Sequence, residues 1–201
     1  MLKNTELKIF SDDELKSRGK GLSLIRKGMQ ELEIDFFLMM GVLLGAVREQ
    51  DFIKWDWDVE LGFITESIVN RVDEIRTNFI NKQFEVELVD ATYKNFKINL
   101  FYGNNKYTLW GLHYSDNFLQ RKNFKFPEKY FLTFDEINFR GLVYKIPNNT
   151  EDLLEYIYGD WKTPKKTNIK KEYLEKKIFI QDFFLKRVAN KMKSFLFKIF
   201  R

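Results

Sequence analysis

The chain has 201 residues, with hydrophobic residues at 44%, charged residues at 31% and aromatics at 17%; it fits one domain, or one domain with an appendage, and is too apolar to be mostly disordered. The absence of Cys excludes a disulfide framework, a thiolate nucleophile and a Cys-based zinc site, and the single His113 excludes a His cluster. Net charge is +5, but residues 160–201 hold 13 Lys/Arg against 4 Asp/Glu, leaving 21 against 25 in residues 1–159. A mildly acidic body argues against nucleic acid as a partner, because phosphate neutralisation needs positive charge spread over a folded face.

Residues 1–20 are charged throughout, without the apolar stretch of about 7–15 residues a secretory signal needs. The longest apolar run, 36–47, is short of the ~20 residues of a spanning helix. The sequence therefore predicts a cytoplasmic protein.

Ser11 and Glu14 have the S-x-x-E capping-box form, so a helix is expected from there, carrying Leu15, Leu22, Ile25 and Met29 at helical spacing. Residues 36–40 read as a buried strand, and 41–48, with small residues at Gly45 and Ala46, as a Gly-initiated helix packed close to it. After a loop at 49–54, residues 55–63 alternate acidic and apolar side chains with the period of a strand. A helix over 65–82, strands over 84–90, 93–103 and 106–115, and a turn at 103–105 follow. Residues 116–129 read as loop, 132–134 and 139–146 as shorter strands, and Asn149 as the N-cap of a helix ending near Tyr158, with Pro164 closing that unit. From about Lys170 a long basic helical pattern runs to Arg201. The order of elements predicts an α+β fold, not regular βαβ units.

On the strand over 55–63, Asp56, Asp58 and Glu60 fall on one face and Trp57, Val59 and Leu61 on the other. Three acids at two-residue spacing repel one another and raise each other's pKa unless a cation compensates. Carboxylates suit hard divalent cations, foremost Mg2+, which keeps water and substrate phosphates in its shell. The helix starting at Gly41 could offer free N–H groups to a phosphate. A bare D-x-D is weak evidence, since a solvent-facing strand with acids paired to Lys or Arg would carry the same letters.

The context is more specific. Residues 41–48, Gly-Val-Leu-Leu-Gly-Ala-Val-Arg, followed by Phe52-Ile53-Lys54-Trp55-Asp56-Trp57-Asp58-Val59-Glu60-Leu61-Gly62, resemble the G-T-L-L-G-A-V-R…F-I-P-W-D-x-D-[IV]-D-[IL]-G signature of the LicD/fukutin family. Lys97-Ile98-Asn99-Leu100-Phe101 resembles that family's K-I-D-[IL]-F strand, and residues 156–164 its closing Y-G-x-x-W-x-x-P element. The resemblance covers about residues 20–165 and implies a nucleotidyltransferase-like (polymerase-beta-type) mixed sheet flanked by helices in residues 1–165, with a basic helical extension in 166–201.

What the resemblance implies is a Mg2+-dependent transferase, with Mn2+ as the alternative ion, that moves a phospho-alcohol such as phosphocholine or ribitol phosphate from a CDP-linked alcohol donor to a hydroxyl of a cell-surface or secreted glycan. Asp56 and Asp58 would be the metal pair, Glu60 and Asn99 would complete the catalytic set, and Gly41, Arg48, Lys97 and Trp161 would bind substrate or phosphate. Three departures stand out: Asn99 where the family has an acid, Val42 for Thr or Ser, and Lys54 for Pro. They leave two alternatives open: a weakened or inactive homologue that binds nucleotide or glycan, and a nucleotidyltransferase that attaches a nucleoside monophosphate to a small molecule or protein. His113 by itself reads as structural. Residues 180–201 mix Phe, Leu and Ile with Lys and Arg, which suits an anionic membrane surface, and so peripheral contact with the inner face of a membrane and a lipid-linked acceptor, or equally a docked helix or dimer contact.

Overall fold

The computed structural model describes residues 7–180 apart from Asn168. Ser11 opens α1 (Asp12–Glu31) with a reciprocal box: its hydroxyl accepts the Glu14 N–H at 3.3 Å, and the Glu14 carboxylate accepts the Ser11 N–H at 2.8 Å. The buried stripe of α1 holds Leu15, Leu22, Ile25 and Met29, with Arg18 among them.

In chain order follow β1 (Phe37–Leu38), α2 (Met40–Arg48), β2 (Asp58–Ile64), a 3-10 turn (Thr65–Ser67), α3 (Val72–Asn81), β3 (Glu85–Asp90), β4 (Lys97–Tyr102), β5 (Asn105–Ser115), β6 (Phe118–Arg121), β7 (Phe124–Pro127), β8 (Phe134–Phe139), β9 (Leu142–Pro147), α4 (Thr150–Tyr158) and α5 (Lys170–Tyr173). The main sheet has the order β1-β2-β5-β4-β3, with β6 and β7 continuing from the end of β5, and β8-β9 form a separate ribbon. Only β2 and β5 run parallel, Val59 beside Tyr107 and Glu60 beside Thr108; the other pairs are antiparallel. This mixed sheet flanked by helices is the α+β architecture that the order of elements predicts.

Alternation along β2 sorts the sheet into two faces. Val59, Leu61 and Phe63 are fully buried and share their face with Tyr107, on which α1 lies so closely that a Cβ on Gly21 would stand 2.1 Å from the Tyr107 hydroxyl. The Tyr107 hydroxyl donates to the Arg18 carbonyl at 2.7 Å, which fixes α1 across the sheet. Asp58 and Glu60 are left for the opposite face.

Several local expectations are corrected. The helix over 65–82 is a 3-10 turn, a break and then α3, because Thr65 is turned into the core and Ile68 and Ile75 are buried there too. Residues 116–129 are the hairpin of β6 and β7, since Leu119, Phe124 and Phe126 bury alternate side chains. The pattern from Lys170 gives, as far as residue 180, one turn of α5, a 3-10 turn (Lys176–Ile178) and a single bridge from Phe179 to Phe124. Burial of Leu174 and Ile178 against the body overrides the helical periodicity. Asn149 does occupy the N-cap of α4, but in a left-handed conformation and with its side chain on Asn148 at 3.0 Å.

Among the described residues no helix is long and apolar enough to cross a membrane. The expectation of membrane contact through 180–201 falls, Ile180 apart, outside the described residues. Ser11→Ala should lower stability by about 1 kcal/mol, read as a shift of the urea midpoint at constant slope, because it removes the hydroxyl that accepts the Glu14 N–H and leaves that helix-terminal donor unpaired.

Candidate active site

Two structural decisions bring the acids together. The β2 strand begins at Asp58, not at residue 55, so Asp56 precedes the sheet and reaches the site from a turn held by its own N–H, which donates to the Ile53 carbonyl at 3.0 Å. The second decision is Gly41. A Cβ there would lie 1.8 Å from Asp56 Oδ2, so only glycine lets that carboxylate rest against the start of α2. The helix begins one residue earlier than the sequence suggests, at Met40, whose φ of 51° is strained for a side chain of that size. The Gly41 N–H lies on the side of Glu60 and lowers its pKa somewhat, so the positive end of α2 faces protein carboxylates.

The electrostatics follow from this crowding. Burial pushes the pKa values of Asp56, Asp58 and Glu60 all upward; Asp58 adds to the rise at Asp56, and Asp58 and Asp56 to the rise at Glu60. Glu60 Oε2 is buried without a hydrogen-bond partner. An orphaned carboxylate oxygen beside two other acids is a deficit of positive charge, and a divalent cation fits the donor set. Among the described residues no three acidic or His side chains converge as a ready cage. That suits an ion held by two carboxylates and completed by water and substrate oxygens.

Other groups brace the acids. Arg18, 1% exposed, donates to the Asp56 carbonyl at 2.7 Å and to Asn105 Oδ1 at 3.3 Å, with its guanidinium 4.2 Å from the Phe10 ring centroid. Thr108 of β5 has its hydroxyl 3.2 Å from Asp58 Oδ2 and 3.3 Å from Asn99 Oδ1. Sequence reasoning missed both. The signal for Arg18 was a charged residue on the apolar stripe of a helix, and for Thr108 a polar residue in register with Glu60, which needs the strand pairing to be known.

Gly41, Arg48, Asp56, Asp58, Glu60, Lys97 and Trp161 all line one cleft. Asn99 does not line it. It sits on β4, separated from β2 by β5, and its amide donates to Glu87 on the edge strand β3, directly opposite it in register. Arg48 reaches the cleft already engaged, donating to Glu49 at 2.8 Å and to the Trp161 carbonyl at 2.8 Å. Trp57, expected on the face of Val59 and Leu61, is 56% exposed, with the Lys106 ammonium 4.6 Å from its ring centroid. The two remaining departures lie off the site: Val42 is buried in the core and Lys54 pairs with Asp12 at 2.9 Å.

Comparison with known proteins adds to this geometry. The chain is 29% identical over 144 residues to the human protein named ribitol 5-phosphate transferase FKRP and 28% identical to its mouse counterpart; each match covers 63% of this chain and 28% of the relative, so the chain spans well under a third of the curated relatives it matches. Among solved structures, ANT(2″)-Ia in complex with adenylyl-2″-tobramycin has a TM-score of 0.46 and 14% identity, covering 72% of this chain and 77% of that one. Residues 33–149 match the profile described as LicD/FKTN/FKRP, nucleotidyltransferase domain. That segment runs from the end of α1 to the start of α4 and contains Asp56, Asp58 and Glu60, and it spans more than half of the sequence: the chain belongs to the LicD/FKTN/FKRP family and carries its nucleotidyltransferase domain.

Proposed function

We propose that this protein transfers a phospho-alcohol from a CDP-linked donor to a glycan hydroxyl, with Mg2+ held by Asp56 and Asp58. The observation that carries the reading is the crowding of three carboxylates, one with an unpartnered oxygen, at the start of α2 inside a cleft that also presents lysines. The named relatives favour ribitol 5-phosphate over phosphocholine as the group moved. A cation bound there would neutralise the donor diphosphate and make its phosphorus more electrophilic.

The chain's own residues would do the rest. The acceptor oxygen forms a bond to the phosphorus that bears the alcohol as the bond to CMP breaks, and Glu60, which lines the cleft with the metal pair, would take the hydroxyl proton once the bound cation has ionised it. Arg18 keeps the turn at Asp56 fixed, and Thr108 orients Asp58. Trp55, Trp161, Tyr158 and Tyr173 provide apolar walls that exclude water and can stack on the cytosine base.

Of the two alternatives, the silent homologue loses the support of Val42 and Lys54, which stand away from the cleft. Incubation with CDP-ribitol and a glycan acceptor tests the proposal by its products: CMP with phospho-alcohol on the acceptor supports it, and pyrophosphate release from a nucleoside triphosphate, or no product, overturns it. Asp58→Asn should abolish Mg2+-dependent binding of CDP in calorimetry while the fold persists.

The pH dependence has a definite sign. Carboxyls with raised folded pKa values contribute stability below roughly pH 4, where free carboxyls titrate, and that contribution is lost as pH rises through the raised values toward neutrality. A cation replaces the lost protons, so the rise in Tm on adding Mg2+ should be larger at pH 8 than at pH 5. Equal gains would count against a carboxylate metal site.

Asn99→Asp would look like a repair toward the family pattern. The structure predicts otherwise, since an acid at 99 loses the donor to Glu87 and faces that carboxylate across the strands. Asn99→Asp should lower Tm without raising turnover, and adding Glu87→Gln should recover the Tm.

A further inference from the structure

Beyond Pro164 the chain does not leave the body: Lys165, Thr167, Lys170, Tyr173 and Leu174 line the cleft. Its near end is fixed where Arg48 donates to the Trp161 carbonyl, and its far end where the Glu175 N–H donates to the Ile157 carbonyl at 2.7 Å and the Ile180 N–H to the Asn123 carbonyl at 2.9 Å. Between these points Tyr173 stacks on Tyr158 with ring centroids 6.3 Å apart, Leu174 is buried, and the Lys166 ammonium lies 5.7 Å from the Trp55 ring centroid on the opposite wall. This strap lies outside the segment that matches the family profile.

The strap adds cations to the cleft. Lys165 and Lys170 line it together with Lys97, and among the described residues none of the three is in an ion pair. Lys170 stands close enough for its charge to act on Asp58, Glu60 and Lys97. With no direct ion pair among the described residues to commit these ammonium groups, each can take an oxygen of a phosphate that enters the cleft. Arg48, the cation the motif singled out for that task, has its guanidinium on Glu49 and a backbone carbonyl.

We infer that the strap is part of the substrate site and that Lys170, together with Lys97 of the same cleft, binds the phosphates of a nucleoside diphosphate donor beside the carboxylates. This rests on the donor reading proposed above. The acids would take the cation, the lysines the phosphate oxygens, and the strap would be the element that brings the second lysine into place.

The test uses the full chain and calorimetry with three probes: Mg2+ alone, CDP with Mg2+, and cytidine. Lys170→Ala should weaken CDP by about tenfold or more, as expected for loss of a charge-assisted phosphate contact. It should leave cytidine binding unchanged and tighten Mg2+ alone, because a positive charge beside Asp58 and Glu60 is gone. Lys170→Arg should keep CDP binding. A merely structural Lys170 would weaken Mg2+ and CDP together, and that result, or unchanged CDP affinity, overturns the inference. If the unaltered chain binds no CDP with Mg2+ present, the donor reading itself fails, an outcome separable from a failure of Lys170 alone.

Discussion

Three carboxylates lining one cleft, partly out of water, are the constraint around which the rest is arranged. Burying like charges side by side is costly, and the protein reduces the cost in local ways: the Gly41 end of α2 lowers the pKa of Glu60, the Thr108 hydroxyl serves Asp58, and the positive charge of Arg18 acts on Asp56. None of these completes the balance, since Glu60 Oε2 keeps no partner. The proposed divalent cation would complete that balance, which an apolar side chain in place of Glu60 would not require.

The scaffold explains how the acids stay in place. The parallel pair of β2 and β5 lies in the interior of the sheet, its helix-side face sealed by α1 through Gly21, Tyr107 and Arg18. The acids therefore stand on a rigid surface, while the turn carrying Asp56 is held at both ends by core residues Phe52 and Ile53 and by the strand. The left-handed Met40 belongs to the same arrangement: it lets α2 start abruptly after β1, so that Gly41 meets Asp56.

Charge is distributed in the cleft with a clear polarity. Acids occupy the floor between α2 and β2, lysines come from β4 and from the strap, and aromatic rings fill the walls. On the proposed reading, an anion that brings or shares a cation would be accepted there and a bare anion repelled by the acids. It also explains the replacement at 99: with Glu87 directly across the strands, an amide that can donate is the stable partner, and the residue acts at one remove from the cleft.

The sequence by itself determined the chemistry available and its main carriers. Without Cys and with one His, carboxylates, lysines, arginines and hydroxyls remained, and the period-two acids beside a small-residue helix marked the acidic side of the cleft, because both signals are local in the chain. The capping box at Ser11 was legible for the same reason. Tertiary structure alone decided the rest. Strand order put β5 between Asp58 and Asn99, side-chain competition tied Arg48 to the strap, and long-range packing brought Arg18 and Lys170 to the acids from about 40 and 110 residues away in the chain. Spacing along a helix or strand fixes which residues share a face, but which distant faces meet depends on burial summed over the whole chain, and no local pattern encodes that sum.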